Sequence, residues 1–299
     1  TRAGGEVVMD LPNASDVAAT YRLTWTGPAG WFGGKTPASE ARKLAAGESV
    51  RRTYKLSREP DAVSAPPAME LAYEFTRDGQ TVRGRDMAEV FVRPVVSASA
   101  VRGIRVDGRL EDWGAAAGRA MGARWQVRDN PKEWTGPADC SAVVRIGYDA
   151  ANLYVAVDVT DDALLVANGA AWQIDGVEVF WDGRATTLRG GPYGEGCGHA
   201  AVPLSAADAQ AKPEAAGDKA PPVRTACRRR EGGYVVEMAI PLAAIGGGFK
   251  PARGAVLRTD VLINDKDDGD EKAPTACMSL SGYTKCNYRT WRYAEVRFE

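Results

Sequence analysis

The chain has 299 residues, and 38 Lys and Arg stand against 39 Asp and Glu, for a formal net charge of −1. A charge so near zero gives no field that would draw the protein to nucleic acid or into an anionic membrane surface. Hydrophobic content of 44% fits a folded chain of two domains or one large all-β domain, and no apolar run reaches the length of a bilayer-spanning helix.

In chain order, the opening Thr1-Arg2-Ala3-Gly4-Gly5 does not read as a signal peptide, and a start without Met leaves room for a segment upstream. Short strands follow at 6–11, 19–25, 49–56, 69–75 and 87–92. Several alternate apolar and polar residues with period two, and Gly-Pro, Gly-Gly, Pro-Pro and Asp-Gly lie between them. Regular short strands over this length predict an immunoglobulin-like sandwich across 1–96, with a spacer or packing role. Residues 93–100 are small and mixed, and read as a linker or as a strand leading into a second domain.

The second domain, 97–299, also reads as all-β. Strands are expected at 142–148, 153–159, 177–181, 234–240, 256–263 and 294–298. The one helical turn, Leu242–Ile245, follows Pro241, which is preorganised for a helix start. Residues 205–222 are rich in Ala, Pro, Lys, Glu and Asp and read as a long loop or insertion. The expected architecture is two β-sandwich domains, the second a larger antiparallel jelly-roll-like sandwich.

Within it, 171–182 holds the most chemistry. Trp172 sits on a turn before Asp175-Gly176, and a strand follows. Val177, Val179 and Trp181 fall on one face of that strand, and Glu178, Phe180 and Asp182 on the other. A flat ring beside a mid-strand carboxylate suits a pyranose: the ring stacks on the sugar face and the carboxylate accepts from hydroxyls. The alternative is a surface Trp with a solvated Glu.

Five fragments resemble, in order, motifs of the family-nine carbohydrate-binding modules and their DOMON-like relatives. They are Ile104–Trp113, Tyr148–Asp162, Trp172–Asp182, Gly233–Pro241 and Ile263–Asp267. The resemblance implies non-catalytic binding of an oligo- or polysaccharide by a secreted or surface bacterial protein, with the sugar between two aromatic rings. Trp172 matches the first ring and Glu178 the hydrogen-bonding carboxylate. Trp291 is the nearest equivalent of the second ring, with Tyr288 and Tyr283 as alternatives. Leu262 stands where the family has a glutamine, and the family's Arg and Asn have no clear match near 199–203. Residues 28–31 and 44–50 are loosely similar to the accessory sandwiches found beside such modules.

Family members often carry structural calcium, which hard loop oxygens suit. Asp161, Asp162 and Asp175 are the candidate ligands. Asp265, Asp267, Asp268, Asp270 and Glu271 form an acidic loop that also reads as a solvated turn. Cys140, Cys197, Cys227, Cys277 and Cys286 form no C-x-x-C, and His199 is the single imidazole, which argues against zinc. The cysteines suit disulfides in an oxidising compartment, Cys197–Cys227 and Cys277–Cys286 each bracketing an excursion between strands; five reduced, buried thiols are the alternative. His199 has no nucleophile elbow nearby and reads as structural or solvated rather than catalytic. Two other readings stand beside sugar binding: a structural or protein-interaction module that lost the sugar site, and a haem-binding electron-transfer domain using His199 with Met238 or Met278.

Overall fold

The computed structural model describes all residues except 1–5, 27–28, 56–67, 90–93, 115, 168, 185–193, 195, 205–222, 247, 270–274 and 283–288. The chain divides into two compact units, Thr1–Val92 and Arg93–Glu299.

The first unit holds β1 (Glu6–Pro12), β2 (Ala19–Thr26), β3 (Glu40–Leu44), β4 (Ser49–Lys55), β5 (Ala68–Arg77) and β6 (Gln80–Glu89). β1 pairs with β4, and the other four form an antiparallel sheet in the order β3-β2-β5-β6. The β5–β6 hairpin turns on Asp78-Gly79, both at positive φ, which matches the twist of the flanking strands. Leu23, Trp25 and Met69 form the core, with Trp25 edge-on to Phe32 at 5.1 Å and to Tyr54 at 5.0 Å. The polar β3 carries only one buried residue, Leu44, so it shows no alternation by which sequence could find it.

The second unit holds β7 (Val95–Ala100), β8 (Gly118–Met121), β9 (Val127–Asp129), β10 (Cys140–Tyr148), β11 (Asn152–Asp161), β12 (Gly176–Asp182), β13 (Cys197–Pro203), β14 (Arg224–Arg230), β15 (Gly233–Pro241), β16 (Val256–Asp265), β17 (Ala276–Ser279) and β18 (Ala294–Phe298). They hydrogen-bond along the path β13-β12-β16-β18-β7-β10-β11-β15-β14, with β17, β9 and β8 attached at its sides. Val177, Val179, Trp181 and Ile263 from one end of this path share a core with Val144, Ile146, Val155, Val157 and Val236 from the other. The unit is therefore an all-β sandwich, and the one α-helix among its described residues is the expected turn α1 (Leu242–Ile245). The ring of Trp181 lies over Gly198, where any Cβ would come within 2.1 Å of it.

Of the two readings of 93–100 the strand holds: β7 belongs to the second unit and fills the gap between β18 and β10. Both of its pairings are parallel, in a sheet otherwise antiparallel. No described helix is long and apolar enough to cross a membrane.

Candidate functional site

Strand alternation places Val177, Val179 and Trp181 in the core and turns Glu178, Phe180 and Asp182 to the opposite face of β12. That second face is also covered: Glu178 is 7% exposed, Phe180 5% and Asp182 5%. In register, Phe180 is flanked by His199 on β13 and Asp260 on β16, and Glu178 by Ala201 and Leu262.

Glu178 is held at both oxygens. Oε2 lies 2.9 Å from His199 Nε2, and Oε1 accepts from Asn264 Nδ2 at 2.8 Å. The His199 ring stacks on Phe180, with centroids 4.0 Å apart and planes 11° from parallel. Burial pushes the Glu178 carboxyl up; the bonds from His199 and Asn264 and the charges of His199 and Arg128 outweigh it and hold the group below its ordinary value. Arg128 Nε donates to Cys277 Sγ at 3.2 Å on the same side. Beyond Phe180, buried Asp260 accepts from Ser279 Oγ at 2.9 Å, Ser281 N at 2.9 Å and Ser281 Oγ at 2.7 Å, fixing the turn that follows β17.

The two predicted rings are set by different devices. Trp172 is 53% exposed on the turn Ala170–Gln173, closed by Gln173 N to Ala170 O at 2.9 Å. Ala171 and Ile174 are buried on either side and hold the turn down. Trp291 lies in the 3-10 turn Thr290–Arg292, half-buried, with the Arg292 guanidinium 4.9 Å from its ring centroid. Arg184 bonds Asp182 twice at 2.9 Å and reaches Thr290 Oγ1 at 3.2 Å, which ties this turn to the end of β12. Tyr288 and Tyr283 lie outside the described residues.

The predicted metal ligands separate into two groups. Asp161 and Asp175 join Asp265, all three buried, with carboxylate oxygens within 4.8 Å of one another. Asp162 instead joins Asp139 and Asp267. Burial, then the charges of neighbouring carboxylates, pushes Asp161 up to about 6, Asp175 up to about 7 and Asp265 up to about 8, with backbone donors opposing at Asp161 and Asp175. Oδ1 of Asp265 is buried and has no hydrogen-bond partner among the described residues. Hard oxygens crowded together, one of them buried without a hydrogen-bond partner among the described residues, fit a divalent cation such as calcium.

Several expectations need correction. Of the two readings of His199 the solvated one fails and the structural one fits, since the ring is buried against Glu178 and Phe180. Met238 and Met278 pack in the core between the sheets, on the other side of the strands from His199, so the axial pair for haem is not assembled. Cys197 and Cys277 are free thiols, so neither expected disulfide is formed; Cys286 lies outside the described residues. Sequence reasoning missed His199 and Asn264 as partners of Glu178, and Asp139 in the acidic groups. The usable signal for Asn264 and Asp265 was their adjacency on a strand, which sends one to each face.

Residues 106–292 match the carbohydrate family 9 binding domain-like family. The endo-1,4-β-xylanase A of Thermotoga neapolitana is 31% identical over 154 residues, which is 52% of this chain and 13% of that enzyme. Two solved structures of a family 9 carbohydrate-binding module from Caldicellulosiruptor kristjanssonii are similar in fold, each at 20% identity. The cellotriose complex has a TM-score of 0.53 over 69% of this chain and 93% of the module. The glucose complex has 0.51 over 69% and 95%. With more than half of its length matched, the chain belongs to the carbohydrate family 9 binding domain-like family.

Proposed function

We propose that the second unit is a non-catalytic carbohydrate-binding module that seats its sugar against Trp172 and the polar face around Glu178. The observation that carries this reading is the exposed ring of Trp172, on the turn leading directly into the strand that bears Glu178. A half-exposed indole on a pinned turn offers a stacking face at little entropic cost. Glu178, His199 and Asn264 supply oriented polar groups at the floor, and Trp291 and Tyr288 are the candidates for a second ring. The cation at Asp161 and Asp175 is a structural calcium, with Asp265 completing its set and Asp162 beside it. Calcium supplies charge neutralisation there. The first unit serves as an immunoglobulin-like spacer, and the protein works outside the cytoplasm, where polysaccharides are met.

Titration calorimetry with glucose and cellotriose, the ligands of the two solved relatives, tests the reading. Binding that is lost on changing Trp172 supports it, and a glycan array silent for the wild type rejects it.

A further inference from the structure

The connection from β11 to β12 carries Trp172 near its far end, and both of its ends are carboxylates of one buried group. Asp161 closes β11, Asp175 leads into β12, and Asp265 closes β16 beside them. The first residues of the connection hang on this group. Asp161 Oδ1 accepts from Ala163 N at 2.9 Å, and Asp175 Oδ2 accepts from Leu165 N at 2.6 Å. Asp175 Oδ1 also accepts from Lys266 N at 2.8 Å, so it bridges the connection to β16. Asp265 is 5% exposed, and its Oδ1 lacks a donor among the described residues. An isolated carboxylate oxygen in such a place is costly unless a cation or a proton faces it.

The same two strands reach the Glu178 face. Asn264, next to Asp265, turns the other way and donates to Glu178 Oε1 at 2.8 Å. Glu178 itself lies on the strand that follows Asp175. One step of the strand period therefore separates a group facing the acidic triad from a group facing the sugar.

Resting on the carbohydrate reading of this face, we propose that a divalent cation held by Asp161, Asp175 and Asp265 positions Trp172, so that sugar affinity rises when the cation binds. Without the cation the three carboxylates are not bridged, and the ends of the connection are held by backbone bonds to Asp161 and Asp175. With it, those ends are pinned, and the turn at Ala170–Gln173 holds the indole at a fixed height beside β12. By linkage the sugar raises cation affinity by the same factor.

The test uses the whole chain in calcium chloride and in EGTA, with two readouts: amide hydrogen exchange of 163–174 and cellotriose affinity by calorimetry. Calcium is expected to slow exchange across 163–174 and tighten cellotriose binding, each by about tenfold, within the ordinary range of coupling energies. Asp265→Asn keeps the shape, removes one charge, and should abolish both calcium effects. Exchange and affinity equal within about twofold in the two conditions overturn the proposal, as does a calcium-dependent rise in Tm that leaves 163–174 exchanging as before. If cellotriose and glucose bind in neither condition, the carbohydrate reading fails by itself. The exchange readout then still decides whether the cation positions Trp172.

Discussion

Trp113 Nε1 donates to Glu237 Oε1 at 2.6 Å, joining the loop after β7 to the middle of β15. The other oxygen of Glu237 accepts from the backbone N–H groups of Asp107 at 2.9 Å, Gly108 at 2.6 Å and Arg109 at 3.2 Å. Gly108 takes φ +76°, and a Cβ there would come within 2.5 Å of Arg228 Cβ, so the loop can wrap the carboxylate only with glycine at this position. Two of the motifs that resembled the family are thus the two halves of one buried lock.

Glu237→Ala strands an indole N–H and three backbone donors in a buried place. It is expected to lower unfolding free energy by about 3 kcal/mol or more. Glu237→Gln keeps an acceptor and should cost less. Urea unfolding measures both, and an unchanged midpoint for the alanine variant contradicts the lock.

Trp172→Ala should weaken sugar binding by about 1–3 kcal/mol while leaving Tm nearly unchanged, because the ring is more than half exposed. Calorimetry and thermal melting on the same sample separate the two effects. A lowered Tm with intact binding makes Trp172 a packing residue.

Glu178 behaves differently from a solvated carboxylate on an open face. Its burial and its bonds to His199 and Asn264 mean that Glu178→Ala leaves two polar side chains without their acceptor. The expected cost is about 1–3 kcal/mol of stability in addition to any loss of affinity. Stability equal to wild type would place His199 and Asn264 in contact with water instead.

Asp161, Asp175 and Asp265 have folded values raised to about 6, 7 and 8 from an ordinary value of 3.8. In the range between, the folded state holds more protons than the unfolded state, so stability in EGTA should fall as pH rises from about 4 to about 8. A cation bound at the three carboxylates would replace those protons, so saturating calcium should flatten or reverse the slope. Melting curves at several pH values with EGTA and with calcium give the comparison.

Burial pushes the Cys277 thiol up to about 12 and the Cys140 thiol well above its ordinary value. Both should resist a thiol reagent in the native state and react only on unfolding. Mass spectrometry without reductant should recover Cys197 and Cys277 as thiols.

The faces of β12 were legible because alternation needs only the strand itself; the two fragments that meet at Glu237 were legible as motifs, but their meeting across about 130 residues was not. The environment of Glu178 was not. It depends on which residue of β13 falls beside Phe180, and the chain between Asp182 and Cys197 carries no periodic pattern to set that register. The acidic triad is a meeting of three strand ends, Asp161, Asp175 and Asp265, that adjoin only once the sandwich closes. Read along the chain, Asp162 looked as good a partner as its neighbour. The thiols failed for a related reason: Cys197 and Cys227 bracket an excursion in sequence, yet their strands end the hydrogen-bonded path at opposite extremes.

The parallel pairing of β7 with β18 has a mechanical consequence. Val95 lies beside Glu295 and Ala98 beside Phe298, with Glu295 N bonded to Pro94 O at 2.9 Å and Glu299 N to Ala98 O at 3.1 Å. A pull at residue 94 and a pull at residue 299 draw these two strands along their own axes in opposite directions. The bonds between them are evenly spaced and share such a load together instead of parting one at a time. Tension carried from the first unit through to residue 299 therefore meets this unit in shear, its resistant direction.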